Sequence, residues 1–335
     1  MTIARGIVSD GLGAIVLASG EGQRLRPLTA RIPKPLLPVL GQTLLDRALD
    51  KIAATRPHRV VVALHHRADV VISHLAAGPH QVVTAVEQEL TGPAGAVRSY
   101  GADPDLRLLL VVSGDLLFDD DLSGLVDHHL ATGAEMTFAT RRVRRASRFG
   151  VLETGPDGRV VRTREKPPVP DDEEHLVSAG IYCLSPRAVR AIPANTTFDF
   201  AAHLAPLLLE QGAIVQSRGL HGYWSDVGTP AALRDANLAA LRSRLAAGKD
   251  GQLAAVKDGG RLIHTDDGST YLSDGATVGT EVVFRGHNAV LGHASIGDGA
   301  TVTDSVVMGS AVVPAGGILC GALAWSPEPD EGTRP

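Results

Sequence analysis

Continuous apolar runs at Leu12–Leu17, Val60–Leu64, Val82–Val86, Leu108–Val112 and Met136–Ala139 alternate with amphipathic stretches of helical length at Thr43–Thr55, Ala68–Ala77 and Leu122–Ala131. Apolar runs without a polar alternate predict strands buried on both faces of a sheet. Strand and helix at this spacing predict right-handed crossover units, hence an α/β domain whose mostly parallel sheet is covered by helices. Ligands of such sheets sit at the carboxyl ends of the strands. From about residue 149 the pattern shortens. Phe149–Glu153, Val160–Arg164 and Ser178–Leu184 predict strands between Pro/Asp/Gly loops. The segment Lys166–Glu174 carries Pro167, Pro168, Pro170 and a DDEE patch, which predicts an exposed loop. Helical patterns return at Ala201–Gln211 and Pro230–Ala247.

The C-terminal part repeats with a period of six. Leu272, Val278, Phe284, Val290, Ile296, Val302 and Met308 lead successive hexads, and a small or β-branched residue mostly follows four places later. That period predicts a short C-terminal left-handed parallel β-helix of hexapeptide repeats, in which each hexad forms one flat side. Seven hexads make little more than two coils. The expected division is residues 1–247 as one domain, 248–261 as a Gly/Asp/Lys linker, 262–325 as the β-helix and 326–335 as a Pro/Glu/Asp tail.

Charge and cysteine content narrow the function. The net charge of −5 argues against a broad grip on nucleic acid or an anionic membrane, while leaving room for a local cationic pocket. Cys183 and Cys320 are the only cysteines, too few for a disulfide scaffold or a thiolate zinc site. No apolar run reaches membrane-spanning length, and MTIARGIVSD lacks the apolar core of a signal peptide; a soluble cytoplasmic protein is expected. His65, His66, His128 and His129 lack metal-like context and read as surface residues.

The densest chemical signal starts where the first strand ends, at Leu17-Ala18-Ser19-Gly20-Glu21-Gly22-Gln23-Arg24, and runs on to Pro33-Lys34-Pro35. Gly20 and Gly22 allow a sharp turn that presents N–H groups to an anion. Arg24 and Lys34 add full positive charge, and two prolines fix where Lys34 points. The donor set suits a nucleoside triphosphate. A dinucleotide fingerprint would need a third glycine where Leu25 stands, and no G-K-[ST] occurs. Farther on, Asp115 follows the run Leu108–Val112 beside Gly114, a position from which a carboxylate can hold Mg²⁺ against phosphates. Asp119, Asp120 and Asp121 read as a solvated turn and helix cap.

The segment 17–39 resembles the signature of sugar-1-phosphate nucleotidylyltransferases, especially the mannose-1-phosphate guanylyltransferase-like branch: G-x-G-x-R-L-x-P-L-T-x-x-x-P-K-P-L-x-P-V is matched throughout, with Ser19 where the family usually has Ala or Gly. The resemblance implies a Rossmann-like nucleotidyltransferase domain, and further motifs follow in family order. Glu87–Gly95 resembles the base-reading segment E-x-x-x-L-G-T-A-G, with Leu90 one place early and Pro93 in place of Thr. Phe149-Gly150-Val151, Glu165-Lys166-Pro167 and Ser178-Ala179-Gly180-Ile181-Tyr182 resemble Y-G-V, E-K-P and N-A-G-I-Y, the sugar-phosphate elements. Phe198-Asp199-Phe200 fits F-D-F, with Asp199 as a helix cap. Trp224-Ser225-Asp226-Val227-Gly228-Thr229-Pro230 resembles W-x-D-I-G-T-P.

These likenesses imply nucleotide contacts from Leu17, Ala18, Gly20, Gly22, Arg24, Lys34, Glu87, Gly92, Gly95 and Asp115. They imply sugar-phosphate contacts from Gly150, Glu165, Lys166, Ser178 and Asp226. Mg²⁺ would be held by Asp115 and Asp226, and Arg24, Lys34, Asp115 and Asp226 would carry the catalysis. The implied reaction is NTP plus sugar 1-phosphate to NDP-sugar plus pyrophosphate, in a homo-oligomer that uses neither nucleic acid nor membrane. GTP is favoured, since the adjacent N1–H and N2–H₂ donors of guanine suit a carboxylate at Glu87. The same reaction with dTTP, UTP or ATP is the alternative, as is a silent subunit that only binds NDP-sugar. His287 and His293 raise acyl transfer, but the repeat region is short for that role.

Overall fold

The computed structural model describes residues 11–98, 103–194, 196–247 and 259–327. Most of the expected linker and tail lies outside the described residues. The chain divides into two compact units, the segment through Gly20 with Leu45–Asp226, and Glu21–Leu44 with Val227 onward.

The first unit is built on one nine-stranded sheet. Its strands are β1 (Leu12–Leu17), β2 (Arg59–Leu64), β3 (Val83–Val86), β4 (Leu108–Ser113), β5 (Met136–Val143), β6 (Gly150–Thr154), β7 (Val160–Glu165), β8 (His175–Leu184) and β9 (Val215–Gly219). The order is β7-β6-β8-β4-β1-β2-β3, with β5 also on β8 and β9 on β5. Pairings β4-β1, β1-β2, β2-β3 and β5-β9 are parallel; those made by β8 and the β6-β7 hairpin are antiparallel. Only β7 and β8 therefore run against the rest, and the sheet is mostly parallel. Helices fill the expected places at Leu44–Ala54, Ala68–Ala77 and Ser123–Thr132.

Several details depart from the sequence pattern. β3 is a sheet edge rather than a doubly covered strand, and Val83 and Val86 are 46% and 45% exposed. β9 carries no apolar run, because only Val215 and Gln216 are buried. β8 starts three residues early and changes register between Ser178 and Tyr182, where Gly180 adopts φ +75°. Its upper half pairs β5 and β6, and its lower half pairs β4 and β5. His129 is buried rather than on the surface, with Nδ1 2.8 Å from Thr137 Oγ1. Tyr182 stacks on Phe200 at 4.1 Å and meets Phe138 edge-on at 5.4 Å, at the centre of the core. Asp199 Oδ1 accepts from Ala201 and Ala202 N–H and starts the π turn Phe200–Leu204, which continues as Ala205–Glu210.

The second unit contains the Pro33-Lys34-Pro35 loop, the helix Pro230–Ala247 and the β-helix. Its repeats form three parallel faces: Thr277–Val278, Ser295–Ile296 and Val312–Val313; Val283–Arg285, Thr301–Thr303 and Ile318–Cys320; and Gly268–Leu272, His287–Val290, Val306–Gly309 and Leu323–Ser326. Three strands on two faces and four on the third make about three coils, more than the hexad count suggested. Leu272 stacks under Val290, but Val290 stacks under Val307 rather than Met308, so the second coil is one residue short. Thr303 still pairs with Arg285 and Val306 already with Ala289, so the missing residue falls at the Asp304–Ser305 corner. A buried polar ladder fills that corner. Asn288 donates to Thr270 Oγ1 and Arg285 O, and accepts from Ser305 N–H. No described helix is long and apolar enough to cross a membrane.

Candidate active site

The parallel strands end level with one another. Leu17 pairs with Ala63 on one side and Ser113 on the other. Just beyond, Ala18 N–H donates to Ala63 O at 2.9 Å, Gly114 N–H to Leu17 O at 2.8 Å and Glu87 N–H to Leu64 O at 2.8 Å. A Cβ on Gly114 would lie 3.0 Å from Val16 Cγ1, so glycine lets the turn carrying Asp115 close against β1. Glu87, Leu17, Ala18 and Asp115 thus line one carboxyl edge. Three inter-strand steps separate the strands before Glu87 and Asp115, about 14 Å at ordinary sheet spacing.

Glu87 is held from every side. Its Oε2 accepts from Ser19 Oγ at 2.7 Å and its Oε1 from Thr91 Oγ1 at 3.3 Å, while His65 Nδ1 lies 2.8 Å from its carbonyl oxygen. Gly92 sits at φ +77°, where a Cβ would come within 2.6 Å of Phe198 O. A Cβ on Gly95 would meet Thr91 Oγ1 at 2.5 Å. Both glycines are therefore required by packing of the turn itself.

On the other side of β4, the sugar-phosphate motifs converge. Glu165 pairs with Gly150 across the β6-β7 hairpin, and a Cβ on Gly150 would lie 3.0 Å from Glu165 Oε2, 2.7 Å from Ala201 Cβ and 3.8 Å from Ser178 Cβ. Lys166 is exposed, with Nζ 2.8 Å from Glu165 Oε1. Ser178 Oγ donates to Tyr182 Oη at 2.9 Å. Burial pushes the Tyr182 hydroxyl well above its usual value; the charges of Asp199, Glu165 and Asp115 act in the same direction, against the Ser178 hydrogen bond.

Asp226 arrives by a short ribbon. Trp224–Ser225 pairs antiparallel with Leu117–Phe118, so Asp226 follows a residue whose partner is two places after Asp115. Trp224 Nε1 donates to Ala179 O at 2.9 Å, and its ring centre is 5.6 Å from that of Phe149. Asp120 ties down the approach, its two oxygens accepting from His221 and Gly222 N–H, which is a structural role rather than a solvated turn. Both Asp115 and Asp226 are half-buried. Among the described residues no group of three or more His, Cys, Asp or Glu is arranged for a metal. Two carboxylates nevertheless fit Mg²⁺, which takes one or two from protein and the remaining oxygens from phosphates and water.

Gly22, Arg24 and Lys34 belong to the second unit, and Gly20 closes the first. Gly22 adopts φ +65°, and a Cβ there would lie 2.9 Å from Thr29 Cγ2 and 3.1 Å from Lys34 Cβ. Thr29 Oγ1 donates to Gly22 O at 2.8 Å. Arg24 is exposed, whereas Lys34 is 8% exposed in the turn Lys34–Leu36. Sequence reasoning missed Ser19, Thr91 and Trp224 as side chains that hold the site's motifs, and Tyr182 as the buried partner of Ser178; Ser19 alone stood out, as a departure from the motif.

A family model described as nucleotidyl transferase matches residues 13–243. A putative mannose-1-phosphate guanyltransferase of Sulfolobus acidocaldarius is 33% identical over 234 residues, covering 69% of this chain and 63% of that protein. A glucose-1-phosphate adenylyltransferase of Thermotoga neapolitana is 33% identical over 254 residues, covering 67% of this chain and 59% of that protein. The chain thus spans about three fifths of the length of these two curated relatives. A Mycobacterium tuberculosis mannose-1-phosphate guanylyltransferase is 29% identical over 310 residues, with 91% and 82% coverage. The crystal structure of a putative glucose-1-phosphate thymidylyltransferase from Bacillus anthracis shares the fold, with TM-score 0.60, 24% identity and coverage of 68% of this chain and 94% of that one.

Proposed function

The chain belongs to the nucleotidyl transferase family, and from that premise we propose that it joins an NTP to a sugar 1-phosphate, with GTP the preferred nucleotide. An oxygen of the sugar phosphate attacks the α-phosphorus in line, the bond between the α-phosphorus and the bridging oxygen breaks, and pyrophosphate leaves. The nucleophile is already an anion, so alignment of two polyanions and charge stabilisation carry the catalysis. Asp115 and Asp226 would hold Mg²⁺, which would supply positive charge to the reacting phosphates. Arg24 and Lys34 neutralise the triphosphate and the leaving pyrophosphate. Lys166 meets the sugar phosphate, and Glu165, Gly150 and Ser178 form the wall against the sugar. Leu17, Ala18, Gly20 and Gly22 offer backbone to the nucleotide, whose base meets Glu87, Gly92 and Gly95.

The observation that carries this reading is the order of groups along the sheet: Glu165, Gly150, Ser178, Asp115 and Leu17 follow one another across the adjacent strands β7, β6, β8, β4 and β1, and Glu87 lies one strand farther on, past β2, at the end of β3. A base at Glu87, phosphates at the centre and a sugar beyond β4 match that order. Guanine is favoured because Glu87 offers acceptors to two adjacent donors. The test is a matrix of GTP, ATP, UTP, CTP and dTTP against hexose, heptose and cyclitol 1-phosphates, read by pyrophosphate release and product mass. No NDP-sugar from any pair would defeat the proposal; an NDP-sugar formed best with another nucleotide would defeat its guanine part.

A further inference from the structure

The hydroxyls around Glu87 have no role in the reaction as stated, and their geometry is specific. Ser19 Oγ donates to one carboxylate oxygen at 2.7 Å and Thr91 Oγ1 to the other at 3.3 Å. The backbone of Glu87 is separately pinned by Leu64 O and by the His65 ring. Each hydroxyl has one proton, and both protons are spent on Glu87. What Ser19, Glu87 and Thr91 can still offer a ligand is lone pairs alone. A carboxylate has about four acceptor sites, so two remain after the hydroxyls are served.

We propose that Ser19 and Thr91 are positioning residues that fix the Glu87 carboxylate as an acceptor-only wall and so set the nucleotide preference; this rests on Glu87 meeting the base. Guanine presents two adjacent donors to such a wall. Adenine presents a ring acceptor next to its amino group, and uracil and thymine flank their single N–H with carbonyls, so each sets at least one acceptor against an acceptor. Without Ser19 the carboxylate loses its shorter hydrogen bond and can rotate toward solvent, where it accommodates the other bases better.

The experiment compares wild type, Ser19→Ala, Ser19→Thr and Glu87→Gln, measuring kcat and KM for each NTP and for the sugar 1-phosphate. Loss of one hydrogen bond to a charged group predicts that Ser19→Ala lowers the ratio of kcat/KM for GTP over ATP by about tenfold. The loss should sit in the KM for GTP, with the KM for sugar 1-phosphate unchanged, and Ser19→Thr should restore the ratio by keeping the hydroxyl. A merely structural role would lower all nucleotides alike. An unchanged ratio, a uniform loss, or failure of Ser19→Thr to rescue overturns the lock. If Glu87→Gln shifts the ratio while Ser19→Ala does not, the lock fails and base reading by Glu87 survives. If Glu87→Gln leaves the ratio unchanged, base reading by Glu87 fails and takes the lock with it.

Discussion

Asn237 offers the sharpest test of how the cationic loop is held. It is fully buried on the helix Pro230–Ala247, and its side chain faces the hairpin that follows Pro33-Lys34-Pro35. Val39 pairs with Gln42, leaving Leu40 and Gly41 as a two-residue turn with φ of 47° and 79°. Two consecutive left-handed residues define the primed turn favoured in tight hairpins, and leucine is an uncomfortable occupant of its first place. Leu40 is kept there with only 1% exposure, so its N–H has no water to meet. Asn237 Oδ1 accepts that N–H at 3.0 Å, and Nδ2 donates to Leu233 O at 3.0 Å and Pro38 O at 3.3 Å. Asn237→Ala leaves a buried donor unsatisfied, about 1–3 kcal/mol, and opens a small void worth about 1 kcal/mol more. A total of about 2–4 kcal/mol should appear in urea unfolding at pH 7, with faster hydrogen exchange at the Leu40 amide. Asn237→Asp keeps the acceptor but turns an oxygen toward two carbonyls. It should be at least as destabilising at pH 7 and recover, relative to wild type at the same pH, as acid protonates the new carboxyl. A cost below about 0.5 kcal/mol for Asn237→Ala would refute the claim that this amide holds the hairpin.

Asp226→Asn, with the Trp224–Ser225 ribbon intact, should cut turnover by about two to three orders of magnitude at saturating Mg²⁺, on the scale for one preorganised electrostatic group; near-normal turnover would sink the two-carboxylate assignment. Lys34→Ala should weaken NTP binding and Lys166→Ala sugar-phosphate binding, measured calorimetrically with each substrate alone; a Lys166→Ala defect confined to NTP would reverse the roles. Burial lowers the His129 imidazole to about 4, so between the unfolded value near 6.5 and that value the unfolded chain binds a proton the folded chain refuses. Stability from this group is full above about pH 7 and falls by about 2 kcal/mol on going to pH 5; a His129→Gln variant with the same pH slope as wild type would exclude His129 as its source.

How much of this could be read from sequence depended on whether one stretch of chain carried the whole signal. The helix Ala68–Ala77 has the predicted ends and the helix from Pro230 the predicted start, because amphipathic periodicity is local. β9 was invisible: Val-Gln-Ser-Arg-Gly becomes a strand only because β5 offers an edge to pair with. The slip from Met308 to Val307 was equally hidden, since both are aliphatic and both are buried. Only the strand register shows that the Asp304 corner is a residue short. His129 read as surface because it follows His128 on a short helix, and its burial comes from packing next to Thr137 on β5. The motif residues proposed for the site could be named from the sequence, but the partners that hold them could not. Ser19 reaches Glu87 across 68 positions of sequence, a contact that no periodicity encodes.

The sheet also explains why the two substrates should respond to separate mutations. The residues proposed to meet the nucleotide in the first unit hang from parallel strands β1 to β4, whose ends are level and whose turns need the small residues Ala18 and Gly114 to pack. The residues proposed to meet the sugar phosphate hang from the antiparallel group β6, β7 and β8, where Glu165 and Gly150 are cross-strand partners and the Lys166 backbone N–H donates to Phe149 O at 3.0 Å. β8 joins the groups, and it does so through its irregularity. Gly180 at φ +75° brings its Cα side toward Ser113, where a Cβ would lie 3.0 Å from the hydroxyl oxygen, and lets Ser178 project beyond the end of β4. A side chain at 180 would press on the turn that carries Asp115 and strain the register that sets Ser178. On the proposed reading, Gly180→Ala should therefore impair both substrates together, unlike changes at Glu87 or Lys166. Separate effects on KM for NTP and for sugar 1-phosphate, with one of them unchanged in Gly180→Ala, would show that the two halves are not joined at this glycine.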